Sequence, residues 1–338
     1  MSQNNISPAA RAANFKAVTR QNLQVMPAVK ISEGGQFELT LPKSRFLARI
    51  FLKCDISYTN ATSLTDDHKK TMMEKIHGVL NNITLNLNTG FKPYVVSGAA
   101  LKILNSLYPD NGLAAYDNNI TQTGARVCYE MPLTMSADST AGLVLLQNHE
   151  TTVNLSGEMV SLNSIFKGIG SFTGVSMTVT PMLETFTIPS SPDCYPSLSM
   201  LKLVNSRPET LVPSSENIIR MICGTTYRKV VLQFFDADGN PADLEDSAII
   251  SIVLNQADTP YAITAGMLKM WNYRAYNTAL PAGCYVFDFS TADIAEHGGS
   301  RDLMDTERLT EFWIKVNTAA DTVRCIVTTE CLTRVTAG

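Results

Sequence analysis

The sequence predicts an all-β protein of two tandem β-sandwiches or jelly rolls, and three observations carry that reading. Short runs rich in β-branched and aromatic residues recur from about Val29 onward with turn residues between them. Long helical patterns are scarce, which argues against a parallel α/β arrangement. Finally, residues 82–105 (NITLNLNTGFKPYVVSGAALKILN) align without a gap on residues 249–272 (IISIVLNQADTPYAITAGMLKMWN), at a fixed offset of 167 positions. The identical pairs are Ile83/Ile250, Leu87/Leu254, Asn88/Asn255, Pro93/Pro260, Tyr94/Tyr261, Leu101/Leu268, Lys102/Lys269 and Asn105/Asn272, and Thr84/Ser251, Leu85/Ile252, Val96/Ile263 and Ser97/Thr264 keep physical role. A duplicated unit explains the match.

The first thirty residues differ from the rest. Arg11, Lys16, Arg20 and Lys30 carry positive charge, with no acid before Glu33. Ser7 followed by Pro8 is a helix start signal, so AARAANFKAVTRQNL is expected to form a short helix with cations on part of its surface. Residues 1–28 are read as a basic N-terminal arm. It is either solvated or in contact with an anionic surface such as lipid headgroups or nucleic acid.

From 29 to 187 the β-type runs are QFELTLP, FLARIFLKCDISY, NITLNLN, RVCYEMPLTM, TTVNLSG and GVSMTVTPML. In the duplicated unit Ile83, Leu85 and Leu87 alternate with Thr84, Asn86 and Asn88, so one face of a strand is buried. Pro93 and Pro260 cannot donate to a ladder, so each strand is expected to end there or lie at an edge. Ser97 and Thr264 are placed to cap a helix whose apolar residues, Ala100, Leu101, Leu104 and Leu107 in one copy and Leu268 and Trp271 in the other, recur at helical spacing. The expected unit is strand, turn, helix.

IPSSPDCYPS, residues 188–197, is rich in Pro and Ser and is assigned as the linker. Residues 198–338 form the second half, with runs VVLQFFDADG, AIISIVLN, CYVFDFS, FWIKVN and VRCIVTTECL. The duplication extends to RFLARIFLKCDIS (from Arg45) against TYRKVVLQFFDAD (from Thr226), and to VSMTVTPMLET (from Val175) against VRCIVTTECLT (from Val323). The offset falls along the chain, so the first half carries longer connections, by about fourteen residues around TNATSLTDDHKKTMMEKIH and about nineteen between Ser106 and Arg126, where insertions cost little.

The 338 residues, 45% hydrophobic and 17% charged, exclude a largely disordered chain and suit two domains. A net charge of -4 gives no global reason for nucleic-acid binding. No signal peptide is expected, and the longest apolar stretch, AGLVLL at 141–146, is too short to span a bilayer. The seven cysteines, without CxxC spacing and mostly in strand-like runs, read as buried reduced thiols rather than disulfides or zinc ligands.

Candidate chemistry is sparse. DADGNPADLED, from Asp236, has carboxylates at calcium-loop spacing but Pro241 where the turn needs glycine, so Asp238 and Gly239 read as a hairpin turn. GIGSFTG, from Gly168, does not have the dinucleotide-binding spacing. His68, His77, His149 and His297 form no HxxxH pair, and no nucleophile motif is present. The acids Asp293, Glu296, Asp302, Asp305, Glu307 and Glu311, interleaved with Arg301 and Arg308, read as a solvated loop. No catalytic residue, metal or cofactor is expected. Trp271 and Trp313 lie in segments that read as core.

Two segments carry a family resemblance: LPKSRFLARIFLKCDIS from Leu41, and RDLMDTERLTEFWIKVN from Arg301. They resemble stretches of the double jelly-roll major capsid proteins of tailless icosahedral phages, the lineage that includes tectiviruses and adenovirus. The resemblance implies two eight-stranded jelly rolls standing upright to a capsid surface, and a homotrimer presenting six similar flanks as a pseudo-hexagonal capsomer. It implies a virion subunit made and assembled in the host cytoplasm, with no catalytic residues. Its partners would be other copies, neighbouring capsomers, penton and minor capsid proteins. The arm would face inward, with Arg11, Lys16 and Arg20 meeting an internal membrane or the genome, while first-half insertions build the outer surface or trimer contacts. The alternative is a double β-sandwich glycan-active hydrolase or carbohydrate-binding protein, which would need two converging carboxylates or exposed aromatic platforms.

Overall fold

The computed structural model describes residues 7–88, 90–107, 119–135, 139–147, 152–196, 198–290 and 303–334. His149, Asp293, Glu296, His297, Arg301, Asp302 and most of the first-half insertion between Ser106 and Arg126 lie outside them. The chain divides into two units that change over between Lys202 and Leu203.

The first unit opens with helix α1 (Pro8–Val18), capped by the Ser7 side chain, and strands β1 (Gln21–Val25), β2 (Val29–Ser32), β3 (Gln36–Thr40) and β4 (Phe46–Asn60). Helix α2 (Asp66–Lys75) and a 3-10 turn (Ile76–Val79) lead to β5 (Leu80–Leu87), β6 (Phe91–Val96) and helix α3 (Gly98–Ser106). Strands β7 (Asn119–Ile120), β8 (Gly124–Pro132), β9 (Val144–Leu145) and β10 (Val153–Met159), the single-turn helix α4 (Leu162–Ile165) and β11 (Phe172–Phe186) complete it. One sheet has the order β1-β11-β4-β8-β7, with β2 also on β11 and β9 on β4, and the other contains β6-β5-β10-β3.

In the second half come β12 (Met200–Thr210), β13 (Glu216–Met221), β14 (Thr226–Phe235), β15 (Ile249–Leu254), β16 (Asp258–Thr264) and helix α5 (Ala265–Tyr276). Strands β17 (Cys284–Asp288), β18 (Met304–Asp305), β19 (Phe312–Asn317) and β20 (Arg324–Arg334) follow. The sheets run β17-β14-β20-β12, with β18 on β14, and β13-β19-β15-β16.

Leaving aside the short extra strands, each unit has eight strands in one connectivity. Strands 1, 8, 3 and 6 share one sheet (β2, β11, β4, β8; β12, β20, β14, β17), and strands 2, 7, 4 and 5 share the other (β3, β10, β5, β6; β13, β19, β15, β16). That is the jelly roll. All three sequence repeats fall on corresponding elements: β4 on β14, β5-β6-α3 on β15-β16-α5, and β11 on β20.

The alternation of apolar residues sets the cores. On β4, Ile50, Leu52, Cys54, Ile56 and Tyr58 point inward and are buried. On β14, Val230, Leu232 and Phe234 do so, packed with Ile250, Ile252, Tyr285, Phe312, Ile314 and Val316. Five of the cysteines, Cys54, Cys128, Cys284, Cys325 and Cys331, are buried among such side chains, and burial pushes the Cys284 and Cys331 thiols up to about 12.

Two identical asparagine pairs of the repeat perform identical work. Asn88 and Asn255 both adopt left-handed backbone (φ 51° and 48°) in the turn after β5 and β15, a conformation Asn tolerates. Their side-chain oxygens accept from the backbone that opens the next-to-last strand, Thr152 N–H in one unit and Thr310 and Glu311 N–H in the other. The Asn105 amide donates to Glu130 O (2.7 Å) and accepts from Glu130 N–H (3.1 Å) on β8. Asn272 does the same with Val286 on β17 (2.7 and 3.0 Å). Each Asn thus covers backbone that would otherwise be open at a strand edge. Ser97 and Thr264 accept from the N–H groups of Ala100 and Met267, as capping requires.

The expected strand-turn-helix unit needs one correction: β-structure continues through Pro93 and Pro260, although Pro260 lies, as the edge alternative expects, on the end strand of its sheet. Each sits inside a second strand, β6 or β16, at a register shift: Leu85 pairs with Tyr94 and Leu87 with Phe91, and Ile252 pairs with Tyr261 and Leu254 with Asp258. A bulge leaves a position free of ladder duty, and a residue without an N–H fits there.

Candidate assembly surfaces

Of the three cations expected to contact an inner surface, Arg11 is half-buried, Lys16 is exposed in the last turn of α1, and Arg20 is exposed just before β1. Among the described residues none has an ion-pair partner. Helical spacing puts Arg11 one turn from Phe15 and turns Lys16 well away from it, so the three do not converge on one point. The segment read as an arm is tied down. Phe15 is buried against Phe46 (5.4 Å, edge-to-face) and Phe186 (6.0 Å), in a small cluster that includes Ile188 and Tyr195 from the predicted linker. Strand β1 pairs with β11 from Gln21↔Phe186 to Val25↔Met182.

The sheet bearing β4 and β8 carries two charge ladders on the face away from the core. Arg49 bridges Glu130 (3.2 Å) and Glu184 (3.3 Å), and Asp55 is held between Lys53 (2.9 Å) and Arg126 (2.7 Å). Burial raises the Glu130 carboxyl, against the pull of Arg49. In the second unit a dry pair forms behind β14: Lys229 Nζ lies 3.1 Å from Asp288, which also accepts from the Tyr276 hydroxyl (2.5 Å) and Ser290. These groups neutralise one another, which fits structural rather than chemical roles.

Among the described residues no three His, Cys, Asp or Glu side chains come together. Asp236 is occupied by its own turn, accepting from Asn240 N–H (2.7 Å) and Nδ2 (3.1 Å), with Gly239 at φ 80° and Phe235 bridging Pro241. The hairpin-turn reading of that loop matches this geometry. A cavity of about 410 Å³ at one end of the second unit is lined by Ser, Thr, Asn and Ala with two carboxylates, Glu216 and Glu245. Glu216 is paired with Lys315 (3.6 Å), and no aromatic ring lines the cavity. No described helix is long and apolar enough to cross a membrane.

Apolar side chains are exposed instead on α5. Met267, Met270, Trp271 and Arg274 follow i, i+3, i+4, i+7 spacing and form one face. Met267, Met270 and Trp271 are 51%, 57% and 42% exposed, and the Arg274 guanidinium lies over the Trp271 ring at 5.1 Å. Trp271 is therefore not a core residue, contrary to expectation, because Ala265, Leu268 and Asn272 supply the buried side of this helix. The readable signal was Arg274, which stands where Leu107 stands in the first copy.

No protein-family model and no curated protein matches the chain. Solved structures do. The crystal structure of the STIV MCP superposes with a TM-score of 0.68 at 12% identity, covering 93% of this chain and 96% of that one. The PBCV-1 virus capsid gives 0.69 at 10%, covering 95% and 96%. The major capsid protein P2 from bacteriophage PM2 gives 0.56 at 10%, covering 94% and 99%. Eight strands per unit in jelly-roll order, twice along one chain and matched over nearly the full length of these neighbours, identify the fold as the double jelly roll of icosahedral-virus major capsid proteins.

Proposed function

We propose that this chain is a major capsid protein, a structural subunit that associates with copies of itself into the shell of an icosahedral virion. The observation that carries the reading is the pair of jelly rolls of one connectivity, in which Asn88/Asn255 and Asn105/Asn272 do the same structural work in both units. It is supported by similarity to capsid subunits over more than nine-tenths of each chain. The subunit acts through its flanks and not through a pocket. Its capsomer is a homotrimer, in which six similar rolls make a pseudo-hexagonal tile and near-equivalent contacts follow from the duplication. The remaining partners are neighbouring capsomers, penton and minor capsid proteins, and assembly takes place in the host cytoplasm.

In the same reading, residues 1–28 form the arm, 29–187 and 198–338 the two rolls, and 188–197 the linker. Arg11, Lys16 and Arg20 face the interior and meet a membrane or the genome. Replacing the three by Gln should leave folding and oligomeric mass unchanged while weakening sedimentation with anionic vesicles or retention of nucleic acid. Unchanged binding to both would remove the arm from this role. Electron micrographs of the purified protein test the capsid reading itself. Threefold particles or shell fragments are expected, and a field of single chains would contradict it.

A further inference from the structure

Strand β13 is an end strand of its sheet, and its ladder to β19 fixes which backbone groups are left over. The register from Met221↔Phe312 to Glu216↔Asn317 continues to Ser215 opposite Thr318, whose N–H donates to Ser215 O (3.1 Å). Hydrogen-bonded positions alternate in an antiparallel pair. Asn217, Ile219 and Met221 therefore bond β19, while the N–H and C=O groups of Glu216, Ile218 and Arg220 point to the open side. The Arg207 guanidinium, which donates to Arg220 O, agrees with that phase. The side chains of the same three residues are exposed, Ile218 by 49%. Val212 and Ile222, also exposed, flank the strand.

An open edge of this kind is a template for another strand, and the order of charges selects which one. Glu216 and Arg220 stand on either side of Ile218 at equal spacing. Antiparallel pairing of β13 with the same strand of a second copy, about a twofold axis at Ile218, sets Glu216 opposite Arg220 twice and Ile218 against Ile218. Every outward N–H then faces an outward C=O. Arg220 O has a second lone pair for the purpose. Glu216 meets Lys315 of its own chain at 3.6 Å, with its side chain 57% exposed to a second cation. The other sheet ends do not offer this complementarity. Strand β1 is uncharged, and β2, β3, β16 and β17 each carry a single charged residue, so a twofold pairing of any of them has no opposite charge to place across the axis. Strands β7, β9 and β18 have only two residues. The exposed face of α5 carries Arg274 and no acid.

We infer that β13 pairs edge to edge with β13 of a second copy of this chain, joining two four-stranded sheets across a twofold axis at Ile218. The inference rests on the self-assembly reading above and extends it, because a twofold contact does not close a threefold ring and so joins one capsomer to the next.

The test follows sedimentation mass of the full chain at the highest concentration at which it stays soluble. The parent should form a species of twice the capsomer mass beside the capsomer itself. Arg220→Glu and Glu216→Arg each set like charges across the axis, so each alone should pair about tenfold more weakly. Their mixture should pair like the parent, because the two altered strands complement one another. Circular dichroism checks that both variants fold. Should Glu216→Arg fail to fold, Arg220→Glu suffices by itself, since raising salt should strengthen its pairing and weaken the parent's. Capsomers that never pair, a single variant that pairs like the parent, or a mixture that does not pair overturns the contact. A parent that stays at the mass of one chain instead sinks the self-assembly reading, so the two failures are distinguishable.

Discussion

Asn105 and Asn272 show how much one conserved letter of the repeat accomplishes. Each amide satisfies both backbone groups of one residue at a strand edge, with its own side chain nearly sealed from solvent. Replacing either by Ala leaves a buried N–H and C=O without partners, at a cost of about 2–4 kcal/mol measurable by urea unfolding. His77 makes a second residue-scale prediction. Burial, assisted by the Lys102 ammonium, pushes its pKa down to about 3. Below pH 6.5 the unfolded chain takes up a proton that the folded chain refuses, so stability present above pH 6.5 drains away as pH falls toward 3, by about 2–5 kcal/mol. A His77→Gln variant should flatten that slope in unfolding curves between pH 6.5 and 3. An unchanged slope would assign the acid sensitivity to other groups. Gly98 is constrained differently: an added Cβ would lie 2.4 Å from His77 O and 2.6 Å from Leu80 O, both backbone. Gly98→Ala should therefore lower the melting temperature, although alanine ordinarily favours a helix.

At the scale of elements, local signals were the legible ones. All eleven β-type runs read from the sequence are strands, because alternation depends only on neighbours along the chain, and the caps at Ser97 and Thr264 follow from side-chain chemistry alone. Strands β12 and β13 were not read. Arg207, Pro208 and Glu209 give β12 the composition of a loop, and its role is set by pairing with β20. Strands β6 and β16 were lost to the rule that proline ends a strand, which a bulge relaxes. The exposed side of α5 was illegible for a further reason: burial of a helix face depends on what lies opposite. Helix α1 gives the element-scale prediction. Phe15 is its anchor, so Phe15→Ala should cost about 3–5 kcal/mol locally. The expected readout is faster amide exchange over residues 8–25, with the second unit unaffected. Equal protection in the variant would mean that the helix is held by other contacts.

For the whole molecule, duplication followed by unequal loop growth explains both the sameness and the difference of the two units. The shared connectivity preserves two cores of alternating strands. The differences fall on connections and helix faces, where change costs least. The chemistry of individual side chains, ion pairs closed on themselves and thiols raised by burial, likewise serves stability. The most direct test is the mass of the purified full-length protein by sedimentation across the micromolar range. A value near three times 36.9 kDa is predicted, and a chain that stays at 36.9 kDa at every concentration would contradict the assembly on which this account depends.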